Sequence, residues 1–399
     1  MVKRNKGIMV RIENSVITGQ ILQEKLGDQR QVELCPRATL TPSAHDFLRE
    51  RSIKISYREL STGSRSAPNI AQTVKPRGEI DKRDFTGVFC PNIVIFDEHD
   101  KINYKEMERY INWLIDAGIH GLYPNGSTGE FVRLSWEERQ EVVRLITEVN
   151  SGRVPILAGA SEANLRDVLR MSEFYAKIGV DAISLVPPFY YKISDESLFQ
   201  YFAEVAEQSP LDILLYNIPQ FTQELPLELM ERLLPYERIF GTKDSSRDLP
   251  RLINTMHRLR AERPDYVVLV GCEEILFPSI LMGASGGTIA TSGIIPEVIV
   301  DLYDKAFAGD IEGARILQYR ILDLINMMLL GVNFPEGFKT GVAVRGFDVG
   351  PARTSSTKEE MEHLMKVESQ IGCILSDMGY SVRGARACPI TNIPPIVGR

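Results

Sequence analysis

The stretch LDILLYNIPQFTQELPLELMERLLPYERIFGTKD, residues 211–244, contains two short apolar runs separated by a longer segment of mixed polarity. Short apolar runs that alternate with longer amphipathic segments are typical of repeated βα units in a parallel sheet. Six further runs of this kind lie between residues 86 and 290. The complete set of predicted strands is 86–92, 119–123, 155–158, 182–186, 213–216, 239–242, 266–270 and 287–290.

The segments between these runs carry helix signals. Residues 104–117, 136–150 and 165–178 place apolar side chains at helical spacing, with charged residues on the other side. Ser135 precedes the second segment with Glu138 at the capping-box position, and Ser194 precedes two acidic residues at another helix start. Eight consecutive βα units within about 220 residues fit a closed (β/α)8 barrel better than an open doubly wound sheet. We therefore predict an α/β fold, a TIM barrel over residues 83–309.

Both ends of the chain extend this barrel. Residues 311–330, 336–345 and 358–378 predict three helices, which form a C-terminal helical bundle within 310–380, and residues 381–399 predict an irregular tail. Residues 1–82 predict a small α+β module with strands at 32–35 and 53–57. Its helix begins at Thr41-Pro42, with proline at the first helical position, and covers 44–51. The Ser, Pro and Gly content of residues 61–77 predicts a linker.

Composition and charge narrow the class of protein. The 399 residues are 44% hydrophobic and 25% charged, which is ordinary for a soluble globular protein and excludes disorder throughout. The net charge of −7 is uneven, because residues 1–82 carry 15 Lys and Arg against 9 Asp and Glu, a balance of +6. The remaining residues carry −13. A basic module suits nucleic acid, an acidic partner or solubility alone, but the lack of interleaved aromatic residues argues against nucleic acid.

Cysteine and histidine spacing argues against a metal site. The five cysteines form no CxxC pair, and the five histidines form no i,i+4 pair, so we expect neither a zinc site nor a disulfide framework. The scattered thiols favour a reducing, cytoplasmic location. No apolar run reaches the roughly 18 residues of a membrane span, and no secretory signal is evident.

The polar residues at the predicted strand ends carry the chemistry, because a barrel's active site lies at the C-terminal ends of its strands. Lys243 ends the sixth strand and directs its amine into the barrel mouth. Burial disfavours the charged form of an amine, and a neutral amine attacks a ketone to form a Schiff base. The alternative is an ordinary ion pair of Lys243 with Asp244 or Glu274.

Hydroxyl groups at other strand ends fit the same chemistry. Tyr216 lies one strand before Lys243, and Ser127, Thr128 and Tyr190 follow the second and fourth strands. A carbinolamine gains and loses protons on its way to an imine, and a chain of hydroxyls can relay them. Each residue also has a structural alternative. Tyr216 is then a core aromatic residue, Ser127 and Thr128 are turn or cap residues, and Tyr190 is an exposed aromatic residue of a loop. The tight turn GSTG at 126–129 offers N–H groups to a carboxylate.

Four of these segments together resemble one family. They are GSTGE at 126–130, PFYY at 188–191, YNIP at 216–219 and GTKD at 241–244, and the similarity extends over about three quarters of the chain. The chain resembles the class I, pyruvate-dependent aldolases that include dihydrodipicolinate synthase and N-acetylneuraminate lyase. This resemblance implies a TIM barrel, pyruvate as a substrate, no cofactor or metal, and a homotetramer arranged as a dimer of dimers.

The resemblance also implies roles for individual residues. Lys243 is the Schiff-base lysine, Tyr216 mediates protonation, and Ser127 completes a relay with Tyr190, which serves a neighbouring subunit across the dimer interface. Thr128 and its loop, which includes Gly126, hold the pyruvate carboxylate.

The resemblance leaves the second substrate open. Phe221 occupies the position at which the synthases carry an arginine, which counts against lysine biosynthesis. Substrate-side candidates are Glu273 and Glu274 after the seventh strand, and Ala290 and Thr291 on the eighth strand; the alternative for the two glutamates is a role at a helix N-terminus. Ser127 with Thr128, FYY at 189–191 and GCEE at 271–274 more closely resemble the branches that cleave N-acetylneuraminate or a 2-keto-3-deoxy sugar acid to pyruvate and an aldehyde. The alternatives are condensation of pyruvate with aspartate semialdehyde, a related dehydratase, and a non-catalytic binding barrel.

The N-terminal module has a separate resemblance. CPR at 35–37, LTPSA at 40–44 and FL at 47–48 resemble a short segment of bacterial microcompartment-associated proteins. This resemblance implies a protein partner for the module.

Overall fold

The computed structural model describes residues 10–12, 16–17, 19–27, 29–34, 39–40, 42–57, 84–329 and 333–382. The chain divides into two compact units, Met1–Thr73 and Val74–Arg399. The predicted linker at 61–77, Cys35 and Thr41 lie outside the described residues, as does nearly all of the predicted tail.

Two consecutive repeats of strands and a helix build the smaller unit. Its elements are β1 (Val10–Ile12), β2 (Val16–Ile17), α1 (Gly19–Leu26), β3 (Gln31–Leu34), β4 (Thr39–Leu40), α2 (Pro42–Glu50) and β5 (Lys54–Tyr57). The strands β1, β3 and β5 form a parallel sheet in that order, and β2 pairs in parallel with β4. Val32 lies at the centre of the sheet, paired with Val10 on one side and Ile55 on the other.

The second repeat is the one that the sequence predicts. The predicted strands at 32–35 and 53–57 correspond to β3 and β5, and the helix begins at Pro42. The first repeat was missed because strands of two and three residues are too short to show an alternating pattern. The repeats share one apolar core: Ile12, Ile17, Leu22, Leu26, Val32, Leu34, Ala44, Leu48 and Ile53.

The larger unit contains a closed barrel of eight parallel strands. They are β6 (Gly87–Cys90), β7 (Gly121–Leu122), β8 (Leu157–Gly159), β9 (Ala182–Leu185), β10 (Asp212–Asn217), β11 (Ile239–Asp244), β12 (Val267–Val270) and β13 (Gly286–Thr288). The sheet order is β7-β6-β13-β12-β11-β10-β9-β8. A parallel bridge between Leu122 and Ile156 joins the two ends of this order and closes the barrel. The predicted TIM barrel is confirmed, with each strand within a few residues of its predicted bounds.

Helices surround the barrel and continue beyond it. The barrel helices are α3 (Tyr104–Asp116), α4 (Trp136–Asn150), α5 (Leu165–Ile178), α6 (Asp195–Gln208), α7 (Leu227–Leu233), α8 (Leu249–Glu262), α9 (Leu276–Leu281) and α10 (Pro296–Ala308). The predicted C-terminal helices are α11 (Ile311–Leu329), α12 (Glu336–Val344) and α13 (Lys358–Asp377). Ser135 and Glu138 form the predicted capping box of α4, and Ser194 caps α6 by accepting a hydrogen bond from the Ser197 N–H.

Side chains fill the barrel interior below the C-terminal strand ends. The interior cluster consists of Phe85, Phe89, Tyr123, Leu157, Ala182, Leu214 and Leu269. Gly121 leaves space for one of these rings, since a Cβ atom there would lie 2.1 Å from the Phe89 ring. A larger core separates the strands from the helices. The barrel interior is therefore filled with side chains, and the residues at the C-terminal strand ends lie above this interior cluster.

The cysteines, possible metal clusters and helix lengths can be compared with the predictions made from the sequence. Cys90 and Cys272 are free and buried, whereas Cys373 is disulfide-bonded, which departs from a wholly reduced set of thiols. Within the described ranges, no cluster of three or more potential ligands could hold a metal ion. No helix among those described is long and apolar enough to span a membrane.

Candidate active site

Lys243 and Tyr216 lie side by side at the barrel mouth. They are register partners on β11 and β10, and Tyr216 is two residues beyond Leu214, which belongs to the interior cluster. The side chains are almost fully buried, with 4% of Lys243 and 5% of Tyr216 exposed. The Nζ atom of Lys243 lies 4.1 Å from the centroid of the Tyr216 ring. The predicted pairing of amine and phenol is thus present in the structure.

A second tyrosine faces the same amine. Tyr123 follows β7, and its ring centroid lies 4.5 Å from the Lys243 Nζ. Its ring meets the Tyr216 ring edge to face at 6.4 Å. Burial, with a smaller contribution from Tyr216, raises the pKa of Tyr123 and keeps its hydroxyl protonated. Tyr123 was not among the predicted site residues, although the alternation of side chains from Gly121 directs it inward.

Lys243 has no carboxylate partner in the described part of the chain. Asp244 instead accepts hydrogen bonds from Asn217 Nδ2 at 2.8 Å and Arg251 Nε at 3.3 Å. Glu274 pairs with Arg247 at 3.0 Å. Both acids considered as partners of Lys243 are therefore held by arginines. The buried amine faces aromatic rings, which favour a cation far less than a carboxylate does.

Ser245 supplies a hydroxyl within hydrogen-bonding distance of Tyr216. Its Oγ donates to the Tyr216 hydroxyl at 3.4 Å, and the residue is buried. Sequence reasoning assigned no role to Ser245, because a serine two residues after the lysine at a strand end is typical of a turn.

Ser127 and Tyr190, the other two residues of the predicted relay, differ in their surroundings. Ser127 makes no side-chain hydrogen bond within the described ranges. Tyr190 is 89% exposed and has a positive φ of 82°, uncommon for a residue other than glycine. No hydrogen bond among the described residues joins either side chain to Tyr216, so the relay through them stays a prediction.

The predicted carboxylate loop is a double turn after β7. The Gly129 N–H donates to Gly126 O at 3.1 Å, and the Glu130 N–H donates to Ser127 O at 3.0 Å. Gly126 is required by packing, because a Cβ atom there would lie 2.6 Å from the Tyr123 ring. The N–H groups of Ser127 and Thr128 donate to no acceptor within the described ranges. Two adjacent N–H groups are thereby left for an anion.

A buried ion pair ties this loop to the C-terminal helices. Glu130, at a positive φ of 56°, pairs with Lys339 on α12 and with Arg133 at 2.8 Å. The side chains of Glu130 and Lys339 are 0% and 2% exposed. Glu336 lies nearby, and burial raises its pKa. Glu130 carries no local signal of this role, because its partner Lys339 is distant in the sequence.

A cavity of about 480 Å³ opens beside the mouth. We call it the acceptor cavity; its lining residues are Ser127, Glu130, Phe131, Val132, Arg133, Val186, Phe189, Ile218, Gln220, Phe221, Thr222, Phe334 and Pro335. Lys243 and Tyr216 do not line it. Val186 and Ile218, however, pack with Tyr216 in one apolar cluster. The acceptor cavity therefore adjoins the lysine and tyrosine through these two side chains.

The remaining substrate-side candidates lie after β12 and β13. Glu273 is buried, and its Oε1 accepts a hydrogen bond from the Thr291 N–H at 2.8 Å. Burial raises the pKa of Glu273. The expectation that Ala290 and Thr291 lie on the eighth strand was wrong: β13 ends at Thr288, and both residues belong to a 3-10 helix, Ala290–Gly293. Contact of these residues with a substrate stays a prediction.

Comparisons with known proteins agree on one family. The model of the dihydrodipicolinate synthetase family matches residues 84–373. An uncharacterized DapA-like lyase of Thermofilum pendens is 32% identical over 301 residues, which cover 75% of this chain and 99% of that protein. The N-acetylneuraminate lyase of Rhizobium meliloti is 31% identical over 290 residues, covering 73% of this chain and 95% of that protein.

A solved structure gives the same result. YagE from E. coli K12, a prophage protein of the dihydrodipicolinic acid synthase family crystallised in complex with pyruvate, is 29% identical with a TM-score of 0.69. The match covers 74% of this chain and 99% of that one. The resemblance to the pyruvate-dependent aldolases, and with it the enzyme class of aldolase or lyase, is confirmed. The chain belongs to the dihydrodipicolinate synthetase family.

Proposed function

We propose that this protein is a class I lyase that cleaves a 4-hydroxy-2-oxo acid reversibly to pyruvate and an aldehyde, through an imine on Lys243. The observation that carries the proposal is the environment of the amine. Lys243 is 4% exposed and has no carboxylate partner within the described ranges, and its Nζ faces the rings of Tyr123 and Tyr216. An amine that serves only structure at this depth would be paired with a carboxylate.

The proposed reaction uses the groups around the amine. The neutral Lys243 amine adds to the C2 carbonyl carbon, and the carbinolamine loses its hydroxyl as water to form the imine. The C4 hydroxyl then loses its proton as the C3–C4 bond breaks, which releases the aldehyde and leaves an enamine. Protonation at C3 and addition of water return pyruvate and the free amine. Tyr216, supported by the Ser245 hydroxyl at 3.4 Å, is the group that we assign to these proton transfers.

The carboxylate and the subunit contacts follow the family resemblance. We assign the carboxylate of the 2-oxo acid to the N–H groups of Ser127 and Thr128 in the turn that begins at Gly126. We assign Tyr190 to a neighbouring subunit's relay, which fits its 89% exposure and requires a homo-oligomer, expected to be a tetramer. A protein partner for the N-terminal module also stays a prediction.

The synthase reaction is the second candidate because it starts from the same imine. The family name and the shared lysine favour it. Phe221 argues against it, since this side chain lines the acceptor cavity where a semialdehyde carboxylate would need a cation. Activity with pyruvate and aspartate semialdehyde, greater than the cleavage of any 4-hydroxy-2-oxo acid, would establish the synthase instead.

Borohydride trapping tests the proposal. We expect pyruvate with borohydride to add a reduced pyruvate adduct to the peptide that contains Lys243, and Lys243→Met to abolish it. Lys177→Met is the matched control, because Lys177 is an exposed lysine of α5. An unmodified wild-type protein, or an adduct that persists in Lys243→Met, would contradict the assignment.

A further inference from the structure

The acceptor cavity is walled by aromatic rings. Phe131 meets Phe189 edge to face at 6.1 Å, and Phe221 lies 5.8 Å from Phe334, in each case between ring centroids. All four rings line the cavity, together with Val186 and Ile218. The cavity therefore presents apolar surface to a ligand on several sides.

Two of the three uncharged polar side chains of this wall, Gln220 and Thr222, hydrogen-bond to the protein. Gln220 donates from Nε2 to the Ser245 carbonyl at 2.8 Å. The Thr222 hydroxyl lies 3.3 Å from the Ile218 carbonyl, to which it donates. Within the described ranges, Ser127 is the one lining hydroxyl without a side-chain hydrogen bond.

The charged side chains of the wall are also paired. Arg133 donates from Nη1 to Glu130 at 2.8 Å and from Nη2 to the Phe334 carbonyl at 3.0 Å. Glu130 is paired on its other side with the buried Lys339. The wall thus presents few donors or acceptors that are not already engaged.

A wall of aromatic rings and paired polar groups favours one kind of aldehyde over another. A polyol chain would give up its water in the cavity and find few partners, and each buried hydroxyl left without a hydrogen bond weakens binding. A flat apolar group would instead be removed from water between aromatic rings, which favour offset and edge-to-face contacts. A volume of about 480 Å³ lies within the usual range of ligand cavities and exceeds the size of a benzene ring.

We propose that the aldehyde released from the Lys243 imine is aromatic, so that the substrate is a 4-aryl-4-hydroxy-2-oxo acid. The inference rests on the proposed function, because it concerns the second substrate of the same site. Cleavage gives an aryl aldehyde and pyruvate, with the C4 hydroxyl proton passing through the site to C3. The aryl ring packs between the Phe131–Phe189 and Phe221–Phe334 pairs.

The first test compares two substrates on the wild-type protein. We expect kcat/KM for pyruvate release from 4-hydroxy-2-oxo-4-phenylbutanoate to exceed that from 2-keto-3-deoxygluconate by at least about tenfold. Equal or faster cleavage of the sugar acid would overturn the inference. Borohydride trapping with pyruvate is run in parallel: an adduct on Lys243 with preference for the sugar acid refutes the inference alone, whereas no adduct refutes the proposed function.

The second test changes the wall. Phe221→Ala removes a ring that is 57% exposed, so the substitution spares the core. We expect the ratio of the two kcat/KM values, aryl over sugar acid, to fall by about tenfold. Tyr319→Ala is the matched control, because Tyr319 is a 52% exposed aromatic residue of α11 outside the cavity lining. An unchanged ratio in Phe221→Ala, or an equal fall in Tyr319→Ala, would overturn the assignment of the ring.

Discussion

Gly271 lies against Lys243 so closely that a Cβ atom at Gly271 would stand 2.9 Å from Lys243 Cε. The same atom would stand 2.0 Å from Ser245 Oγ. Gly271 follows β12, and its N–H donates to the Asp244 carbonyl at 2.8 Å, which fixes the backbone at this distance. The absence of a side chain at Gly271 therefore leaves the space that the Lys243 side chain and the Ser245 hydroxyl occupy.

Gly271→Ala is expected to displace the amine. The added methyl group forces Lys243 or Ser245 to move, and a misplacement of about 1 Å can cost on the order of 100-fold in rate. We expect kcat to fall by that order and the rate of borohydride trapping to fall with it. Gly372→Ala is the control, because the nearest atom to its Cβ position is at 3.8 Å and alanine favours a helix. Trapping at the wild-type rate in Gly271→Ala would show that the site accommodates the methyl group without displacing Lys243, which would contradict this prediction.

Ser245→Ala tests the hydroxyl pair. Loss of the hydrogen bond to Tyr216 leaves the phenol without its protein partner, and a positioned acid or base contributes roughly 100-fold or more to rate. We expect kcat to fall by about tenfold with little change in KM, since the serine affects Tyr216 and does not hold the substrate. Ser279→Ala is the control, a buried serine whose hydroxyl has no partner among the described residues. A rise in KM at constant kcat would instead assign Ser245 to substrate binding.

The Glu130–Lys339 pair is expected to matter for stability. Lys339→Met leaves a fully buried carboxylate with one of its two cations, and breaking a buried pair costs about 3–5 kcal/mol. Lys305→Met breaks the solvent-screened pair with Asp301 and is expected to cost much less. Urea denaturation measures both. The double variant Glu130→Gln with Lys339→Met should recover part of the loss, and strictly additive effects would contradict a direct coupling.

Two glutamates should give opposite pH dependences of stability. Burial raises the pKa of Glu273 above its usual 4.5, so its contribution to stability is lost as pH rises from about 4.5 through the higher native pKa. The hydrogen bond from Arg353 lowers the pKa of Glu138, so its contribution is present above 4.5 and is lost as pH falls through the lower native pKa. Glu273→Gln should therefore gain stability relative to wild type as pH rises, and Glu138→Gln should lose it. Urea midpoints between pH 3.5 and 8 measure both differences, and slopes of the same sign would refute one assignment.

Much of the barrel could be predicted because its determinants are local. Each strand is a short apolar run between amphipathic segments, and the helix caps at Ser135 and Ser194 are contained within four residues of sequence. The pairing of Tyr216 with Lys243 follows as well, since consecutive βα units place neighbouring strands side by side with their C-terminal ends together. The interior direction of both side chains follows from the alternation along a strand.

The sequence by itself thus determined the fold and the family, and it predicted the pairing of Lys243 with Tyr216. Only the tertiary structure decided what surrounds them. Tyr123 meets Lys243 because the barrel closes, and Lys339 reaches Glu130 because α12 packs beneath a loop that precedes it by about 200 residues. The rings of Phe189, Phe221 and Phe334 meet in one cavity for the same reason. Contacts between distant segments depend on the packing of whole helices and strands, and no local pattern of residues encodes them.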